Sequence, residues 1–304
     1  MWMSLATSLA FAAALAPGAG AQAAEGYRAA FDDVHGVVAE HFLDPELGGL
    51  DWEAIGAAYA PRAEEATTLD ELAAVVNEML GLLETSHTRF LTSREPAYYQ
   101  LLAIFHASLD ETIRAAHPEN PGLRYPGIGI FTIRRDGAVF VSGVIDGCPA
   151  AEAGLRVGDR IVAVDGAPFH PIGSFEGRVG EVATVDVQRT SDPASRMAVA
   201  VTPVMIEPRE VFVRAMERSV RVIERPAGHV GYVHLWSYAG PRYQEVLESE
   251  LAFGRLRGAD ALILDLRGGW GGANPQDLNL FNDRVPVMTH MLGGTGYITH
   301  LCTV

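Results

Sequence analysis

The sequence has no lysine: all 23 basic residues among its 304 positions are arginine. A phosphate-binding loop of the G-x-x-x-x-G-K-[ST] type needs a lysine and is therefore excluded. The formal net charge is −15, and the sequence contains no long run of basic residues. Nucleic acid is not an expected partner, because phosphate binding needs clustered cations. Because it has no run of basic residues, the sequence also has no polybasic patch that would attract a membrane surface.

Cysteine is almost as scarce, with only Cys148 and Cys302. Two cysteines far apart in sequence define no disulfide framework, although they could pair in an oxidising compartment. His300 and Cys302 form an H-x-C pair, but two ligands are too few for a metal site. We therefore expect neither a metal nor a cofactor.

The apolar stretch near the amino terminus is short. Residues 5–15 are mostly apolar, whereas a membrane-spanning helix needs about 20 such residues. The small-residue segment 19–23 follows and offers two A-x-A cleavage choices, which is typical of a secretory signal peptide. We expect residues 1–23 to be a signal peptide and the protein to be periplasmic or secreted, without a stable membrane span. Residues 1–4 carry no positive charge, so a retained N-terminal helix is the alternative.

Residues 24–118 show the periodicity of helices, and we expect them to form a helical N-terminal domain. The sequence Thr68-Leu69-Asp70-Glu71 matches a capping box, in which the Thr68 hydroxyl and the Glu71 carboxylate satisfy each other's backbone N–H groups. Apolar residues recur at three- and four-residue spacing before and after it: Phe31, Val34, Val38, Phe42, Leu69, Leu72, Val76, Met79, Leu80 and Leu83.

A cluster of helix breakers at 117–122 marks the next boundary, and the periodicity over 119–206 falls to the two residues typical of strands. This segment contains Y-P-G-I-G-I at 125–130 and A-G-L-x-x-G-D-x-I-x-x-V-x-G at 153–166. Its glycines leave N–H groups free to bind a carboxylate, and a neighbouring strand edge can accept an extended peptide. Here the sequence resembles a PDZ domain, and the peptide-binding candidates are Gly127, Ile128, Gly129 and Ile130. The alternative is an unrelated small β-barrel whose glycines only form turns.

The third segment, 207–304, begins with a strand, a helix and a second strand. The apolar strands at 230–235 and 261–266 flank a helical pattern at 242–256, which predicts a parallel βαβ unit. A glycine-rich loop follows at 267–272. It is no dinucleotide fingerprint, because Asn274 stands where the third glycine should fall. A tight turn without function is the other interpretation.

Over about residues 26–283, the three segments in this order resemble the C-terminal processing, or tail-specific, serine peptidase family. The resemblance implies a multidomain α+β fold with a helical N-terminal domain, a PDZ-like β-barrel and a partial α/β (βαβ) peptidase domain. It implies hydrolysis of protein substrates near their C-termini by a Ser-Lys dyad, and it makes the N–H groups of Gly271 and Gly272 candidate donors to the oxyanion. The chain departs from the family pattern at Gly269, where asparagine is usual, and at the bulky Trp270.

The dyad itself cannot be assembled from this sequence, because it has no lysine and no serine after Gly272. We expect no catalytic residue in this chain, which we interpret as an inactive member truncated before the dyad. A non-catalytic PDZ protein that binds peptides or acts as a scaffold is the alternative. No local substitute is expected: adjacent residues such as Ser86 and His87 rarely adopt nucleophile–base geometry, and His234 is expected to be a hydrogen-bonded strand histidine.

Overall fold

The computed structural model describes residues 20–272, 277, 280–281, 286–291 and 298–303, with side chains for 26–272, 277 and 280–281. The chain divides into two compact units, residues 1–98 and 99–304. Among the described residues, no helix combines the length and the apolarity that a bilayer span requires. Of the expected signal peptide at 1–23, residues 1–19 lie outside the described residues.

The first unit is helical. Its helices are α1 (Gly20–His41), α2 (Trp52–Glu64) and α3 (Leu69–Gly81), with a 3-10 turn at Leu47–Gly49. The predicted capping box is present at the start of α3. The Thr68 hydroxyl accepts the Glu71 N–H at 3.2 Å, and the Glu71 carboxylate accepts the Thr68 N–H at 3.2 Å.

One core holds these three helices together. The rings of His35 on α1 and Trp52 on α2 stack with centroids 5.1 Å apart, and the Trp52 indole N–H donates to the His35 carbonyl at 3.0 Å. Most of the apolar positions read from the helical pattern are buried around this pair: Phe31, Val34, Val38, Leu72, Val76, Met79, Leu80 and Leu83.

The second unit begins within a helix and contains the sheets of the expected β-rich and α/β segments. Its helices are α4 (Pro96–Ile104), α5 (His106–Ala116), α6 (Pro149–Glu152), α7 (Pro208–Ser219) and α8 (Pro241–Ala252). The residues of α4 from position 99 onward belong to this unit.

Five antiparallel strands form the sheet of the β-rich segment, in the order β2-β3-β4-β5-β6. The expected PDZ-like β-barrel is not closed in the described residues, because β2 and β6 lie at opposite edges of the sheet and closure requires the outermost strands to pair. A separate pair, β1 with β7, joins the start and the end of the segment. The strands are β1 (Tyr125–Gly127), β2 (Ile130–Arg135), β3 (Ala138–Val144), β4 (Arg160–Val164), β5 (Ala183–Gln188), β6 (Arg196–Val201) and β7 (Val204–Ile206).

The motif at 153–166 has a structural role in this sheet. Gly154, Gly158 and Gly166 adopt φ values of +80°, +93° and +78°, which favour glycine. Asp159 is 1% exposed, and its carboxylate accepts two hydrogen bonds from the Arg189 guanidinium at 2.9 Å. The motif therefore shapes turns and fixes an ion pair whose carboxylate is buried.

The third segment contains the predicted βαβ unit. Strand β9 runs parallel to β10, with α8 between them in sequence. A further strand, β8, pairs antiparallel with β9 and was not predicted. The bounds are β8 (Arg221–Arg225), β9 (Gly228–His234) and β10 (Ala261–Asp265), and an antiparallel hairpin of β11 (Pro286–Met291) and β12 (Ile298–Thr303) follows.

Helices α7 and α8 contribute to one core with one face of this sheet. Met216 and Leu247, from the two helices, are fully buried there with Val233 of β9. On β10, Ile263 is 47% exposed. Since parallel strands usually bury both faces, this strand is unusually open among the described residues.

Candidate functional site

A buried carboxylate at the end of β10 shapes the glycine-rich loop. Asp265 is 6% exposed and accepts hydrogen bonds from the Arg267 backbone N–H at 3.1 Å and from its guanidinium Nε at 2.9 Å. The Tyr232 hydroxyl donates to the same carboxylate at 2.7 Å. The Arg267 guanidinium holds the pKa of Asp265 well below its usual range, so Asp265 is an anion that fixes the turn.

The loop is attached to the chain that leaves β9. The Trp270 N–H donates to the Trp236 carbonyl and the Tyr238 N–H donates to the Gly271 carbonyl, both at 2.9 Å. A Cβ on Gly272 would lie 2.7 Å from the Ala239 Cα, so only glycine fits this close approach. The loop therefore has a defined position.

Gly271 and Gly272, the oxyanion candidates, lie at the exposed end of this loop. Their φ values are +72° and +92°, which place successive peptide groups in a conformation that L side chains rarely adopt. Because the carbonyl of Gly271 is used by Tyr238, the peptide plane that carries the Gly272 N–H is held in place. An oxyanion donor has to be fixed before charge develops.

The two departures from the family pattern have local explanations. Gly269 donates its N–H to the Leu266 carbonyl at 3.2 Å, and a Cβ there would lie only 3.1 Å from that oxygen. The ring of Trp270 packs 6.3 Å from the ring of Phe131, between centroids. The bulky side chain thus turns toward β2.

The peptide-binding candidates form a bend between β1 and β2. Gly129 has φ +78°, and a Cβ there would lie 2.2 Å from the Cys148 Cβ. The carbonyls of Ile128 and Gly129 accept the N–H groups of Ala150 and Ile145, both at 2.9 Å. Ile128 and Ile130 are buried in the core of the sheet. The bend is therefore anchored by its carbonyls and apolar side chains.

Strand β2, which continues from this bend, is an edge strand of the five-stranded sheet. An edge strand presents unpaired backbone groups that can accept an extended peptide. Phe131 on β2 packs against Trp236, with ring centroids 5.2 Å apart. The bend, the edge strand and the glycine-rich loop are thus connected, a relationship that the sequence did not indicate.

His234, considered as a local substitute for the base, has defined contacts within the second unit. His234 Nε2 lies 2.8 Å from the Arg267 carbonyl, and its Nδ1 lies 3.8 Å from the Asp146 carboxylate, as expected for a hydrogen-bonded structural histidine. Ser237 instead donates its hydroxyl to the Gly271 carbonyl at 3.4 Å. His234 thus links the loop at Arg267 to Asp146, which follows β3 in the chain.

The expectation for Ser86 and His87 was wrong in geometry. The Ser86 hydroxyl lies 2.7 Å from His87 Nδ1, so the adjacent pair does form a hydrogen bond. Both side chains are exposed, and the structure gives them no acid among the described contacts. A solvated pair of this kind lacks the burial and the third group that orient a catalytic base.

Cys148 is a free, buried cysteine. Burial raises the pKa of its thiol to about 11, so it is not a reactive thiolate at neutral pH. The side chains of His300 and Cys302 lie outside the described residues. Within the described ranges, no group of three or more His, Cys, Asp and Glu side chains could hold a metal ion.

Comparison with known proteins finds a matching domain family in each of the two units. Residues 23–81 match the family model of the tricorn protease C1 domain, and residues 140–189 match that of the PDZ domain. Tricorn protease homolog 1 of Streptomyces coelicolor is 26% identical over 268 residues, which cover 82% of this chain and 22% of that protein. A carboxyl-terminal-processing protease of Picosynechococcus sp. is 27% identical over 244 residues, covering 77% of this chain and 52% of that protein.

Among solved structures, a photosystem II D1 C-terminal processing protease has a similar fold. It superposes with a TM-score of 0.50 at 19% sequence identity, covering 90% of this chain and 69% of the other. This likeness concerns the fold alone. The chain spans roughly a fifth to a half of the length of these curated relatives, since it covers 22% of one and 52% of the other.

Proposed function

We propose that this chain recognises the C-termini of protein substrates for proteolysis of the C-terminal processing kind. The chain belongs to the family of C-terminal processing peptidases that carry a PDZ domain. The observation that carries the proposal is the connection between two sites. Phe131 on the edge strand β2 packs against Trp236, whose carbonyl holds Trp270 in the glycine-rich loop.

In this proposal the bend between β1 and β2 captures the terminal carboxylate. The N–H groups of Gly127, Ile128, Gly129 and Ile130 are the donors, while the carbonyls of Ile128 and Gly129 are already used within the fold. The peptide then extends along β2 as an added strand, whose main-chain hydrogen bonds supply affinity. Binding by a single groove of this type corresponds to micromolar dissociation constants, or about −8 kcal/mol.

The glycine-rich loop supplies the oxyanion donors of the family reaction. The Gly272 N–H lies in the peptide plane that Tyr238 holds through the Gly271 carbonyl, and the Gly271 N–H is the second candidate donor. A donor fixed before charge develops contributes about 3 kcal/mol to transition-state stabilisation. The nucleophile and the base of the family reaction, by contrast, cannot both come from this chain. Since the 304-residue sequence has no lysine, the Ser-Lys dyad is not formed by this chain, and we propose that the chain alone does not hydrolyse peptides.

Peptide binding is tested by titrating the 304-residue chain with a peptide that ends in an apolar residue and with its C-terminally amidated twin. The indole fluorescence of Trp236 and Trp270 reports on the groove, because both rings contact Phe131. We expect saturable micromolar binding of the free acid and at least tenfold weaker binding of the amide, about 1.4 kcal/mol. Equal affinity for the two peptides would refute carboxylate capture.

The alternative function, a PDZ scaffold with no part in proteolysis, shares the binding step and differs at the loop. Incubating the chain with an unfolded protein is expected to give no cleavage above buffer. Steady cleavage that a serine-directed inactivator abolishes contradicts the inactive-chain proposal. The chain can also be added to a complete relative that is an active peptidase. A role in proteolysis is favoured over a scaffold if the added chain stimulates the relative's activity and the free-acid peptide abolishes that stimulation.

Export is also part of the proposal, on the strength of the signal-like segment 1–23. Expression in a bacterium with a periplasm is expected to place the mature chain there, with its amino terminus created by cleavage after a small residue of 19–23. Amino-terminal sequencing of the periplasmic fraction gives the answer. Retention in the cytoplasm with Met1 intact means that the segment is not a signal peptide in that host.

A further inference from the structure

We infer that the second unit contains a small carboxylate-binding site, separate from the bend at Gly127–Ile130. A cavity of about 80 Å³ lies between α4, the start of α7 and the connection from β9 to α8. Its walls combine apolar and polar groups that no step of the proposed function uses. The residues that matter are Gln100, Arg209, Phe212, Ser237, Arg242 and Tyr243.

Gln100 is the first reason to assign a ligand to this cavity. Its side chain lines the cavity and is 1% exposed, yet its Oε1 has no hydrogen-bond partner in the described structure. The Gln100 Nε2 lies 3.4 Å from the Tyr125 hydroxyl. Leaving a buried amide oxygen unpaired costs about 1–3 kcal/mol, so a polar group left this way requires an explanation.

Rotating the Gln100 amide by 180° exchanges the unpaired oxygen for an unpaired NH₂ group, which the acceptor oxygens of a ligand would satisfy. Oxygen and nitrogen of an amide are assigned from the hydrogen-bond network rather than from shape. Burial raises the pKa of Tyr125 well above its usual range, so its hydroxyl keeps a proton to donate. In the rotated state Tyr125 donates to the amide oxygen, and the NH₂ group of Gln100, a residue that lines the cavity, is the unpaired donor.

Two helix N-termini converge on the same cavity. Helices α7 and α8 are both 12 residues long and begin at Pro208 and Pro241, and neither N-cap residue makes a side-chain capping hydrogen bond. The N–H groups and the dipole of such a terminus favour an anion. Together with the Gln100 donor, the cavity is suited to accept a negative charge.

The charged side chains around the cavity leave a net positive site. Glu207 and Glu210 are the acidic groups at the start of α7, and both are neutralised: Glu207 by Arg124 at 2.9 Å, and Glu210 by Arg242 through two hydrogen bonds. Arg209 makes no ion pair among the described residues, and it lines the cavity. Its guanidinium is therefore available to an incoming anion.

The size and the polar floor of the cavity select a small carboxylate. Ser237 is 3% exposed, and its hydroxyl is engaged with the Ala239 N–H at 3.1 Å and the Gly271 carbonyl at 3.4 Å. The apolar wall of Phe212 suits a methyl or short alkyl group. A carboxylate of acetate size fits about 80 Å³, as does the terminal carboxylate of a peptide that enters by its last residue.

The test uses the 304-residue chain and acetate as the probe. Binding of ¹³C-labelled acetate is followed by NMR at constant ionic strength, with acetamide as the neutral isostere. We expect saturable acetate binding, at least tenfold weaker binding of acetamide, and a loss of about tenfold in acetate affinity in Arg209→Gln, equivalent to about 1.4 kcal/mol. Arg225→Gln, which removes an exposed charge on β8, is the matched control and should bind acetate as the parent does.

Gln100→Leu should weaken acetate binding by a similar factor. Arg209→Gln keeps the proposal testable if Gln100→Leu fails to fold, because Arg209 is exposed. Acetate affinity that is unchanged in Arg209→Gln, or equally reduced in Arg225→Gln, overturns the proposal and places the bound acetate elsewhere, including the bend at Gly127–Ile130. If N-acetylglycine competes with acetate and its amide does not, a peptide end is a source of the carboxylate. If neither competes with acetate, the ligands are small free carboxylates. Both outcomes support the site.

Discussion

Phe131 and Trp236 pack with ring centroids 5.2 Å apart and an interplanar angle of 28°. Phe131 lies on the edge strand β2, and Trp236 follows β9 in the chain. The ring of Phe212 on α7 lies 6.2 Å from Phe131, between centroids, and that of Trp270 lies 6.3 Å away. One aromatic cluster thus joins the proposed peptide groove, the glycine-rich loop and the core of the α/β segment.

Replacing Phe131 by alanine is expected to destabilise the protein by about 2 kcal/mol, because a half-buried ring loses its contacts with three aromatic neighbours. Urea denaturation measures the change. Ile133→Thr on the same strand is the control, since Ile133 is 43% exposed, and it should change stability by less than about 0.5 kcal/mol. Equal losses in the two variants would show that the cluster adds nothing to stability.

Gly129→Ala is expected to lower the stability of the protein more than Gly137→Ala does, although both glycines have positive φ values, +78° and +74°. A Cβ at Gly137 meets no atom within 4 Å, whereas one at Gly129 would lie 2.2 Å from the Cys148 Cβ. We expect about 1 kcal/mol for Gly137→Ala from backbone strain and about 3 kcal/mol for Gly129→Ala. Chemical denaturation checks both, and similar values would mean that the bend relaxes without cost.

The contact between His234 and Asp146 is expected to make stability depend on pH. Burial acts to lower the pKa of His234, but hydrogen bonds to the Asp146 carboxylate and the Arg267 carbonyl outweigh it, so the pKa is raised above 6.5. A raised folded-state pKa means that this stabilisation is complete below the unfolded-state pKa and is lost as pH rises through the folded-state pKa.

Asp146→Asn should therefore lower stability more at about pH 5.5 than at about pH 8.5. The difference should stay below about 1 kcal/mol, because a solvated pair is weak and the Asp146 side chain is 38% exposed. Denaturation curves at the two pH values measure it. In a His234→Gln background the pH dependence of the Asp146→Asn effect should disappear, and its persistence there would assign it to another group.

Strand β10 is expected to exchange its amide hydrogens faster than β5. Ile263 on β10 is 47% exposed, and Leu266 just beyond it is 60% exposed, whereas Val185 and Val187 on β5 are 0% exposed. Local opening follows low burial, so the β10 amides should exchange at least about tenfold faster. Hydrogen exchange on a dilute monomer provides the comparison. Equal protection in the two strands would mean that β10 is part of a fully covered sheet.

Local features of the chain could be predicted from the sequence. The capping box at Thr68 forms as read, and β9, α8 and β10 appear in the predicted order. The glycines of the 153–166 motif adopt the turn conformations that their spacing suggested. These features succeed because hydrogen bonds within four residues, strand alternation and glycine's backbone freedom are properties of neighbours in the chain.

Contacts between distant segments were decided only by the tertiary structure. The sequence predicted a PDZ-like β-barrel, but it did not show that β2 and β6 lie at the edges of an open sheet or that β1 pairs with β7. That pairing joins residues up to 81 positions apart, as in Tyr125 and Ile206. The packing of Phe131 on Trp236 and the cavity beside Gln100 likewise have no signature in local spacing. Side-chain packing and burial act through space, so a periodic pattern identifies the strands and helices but not which of their faces meet.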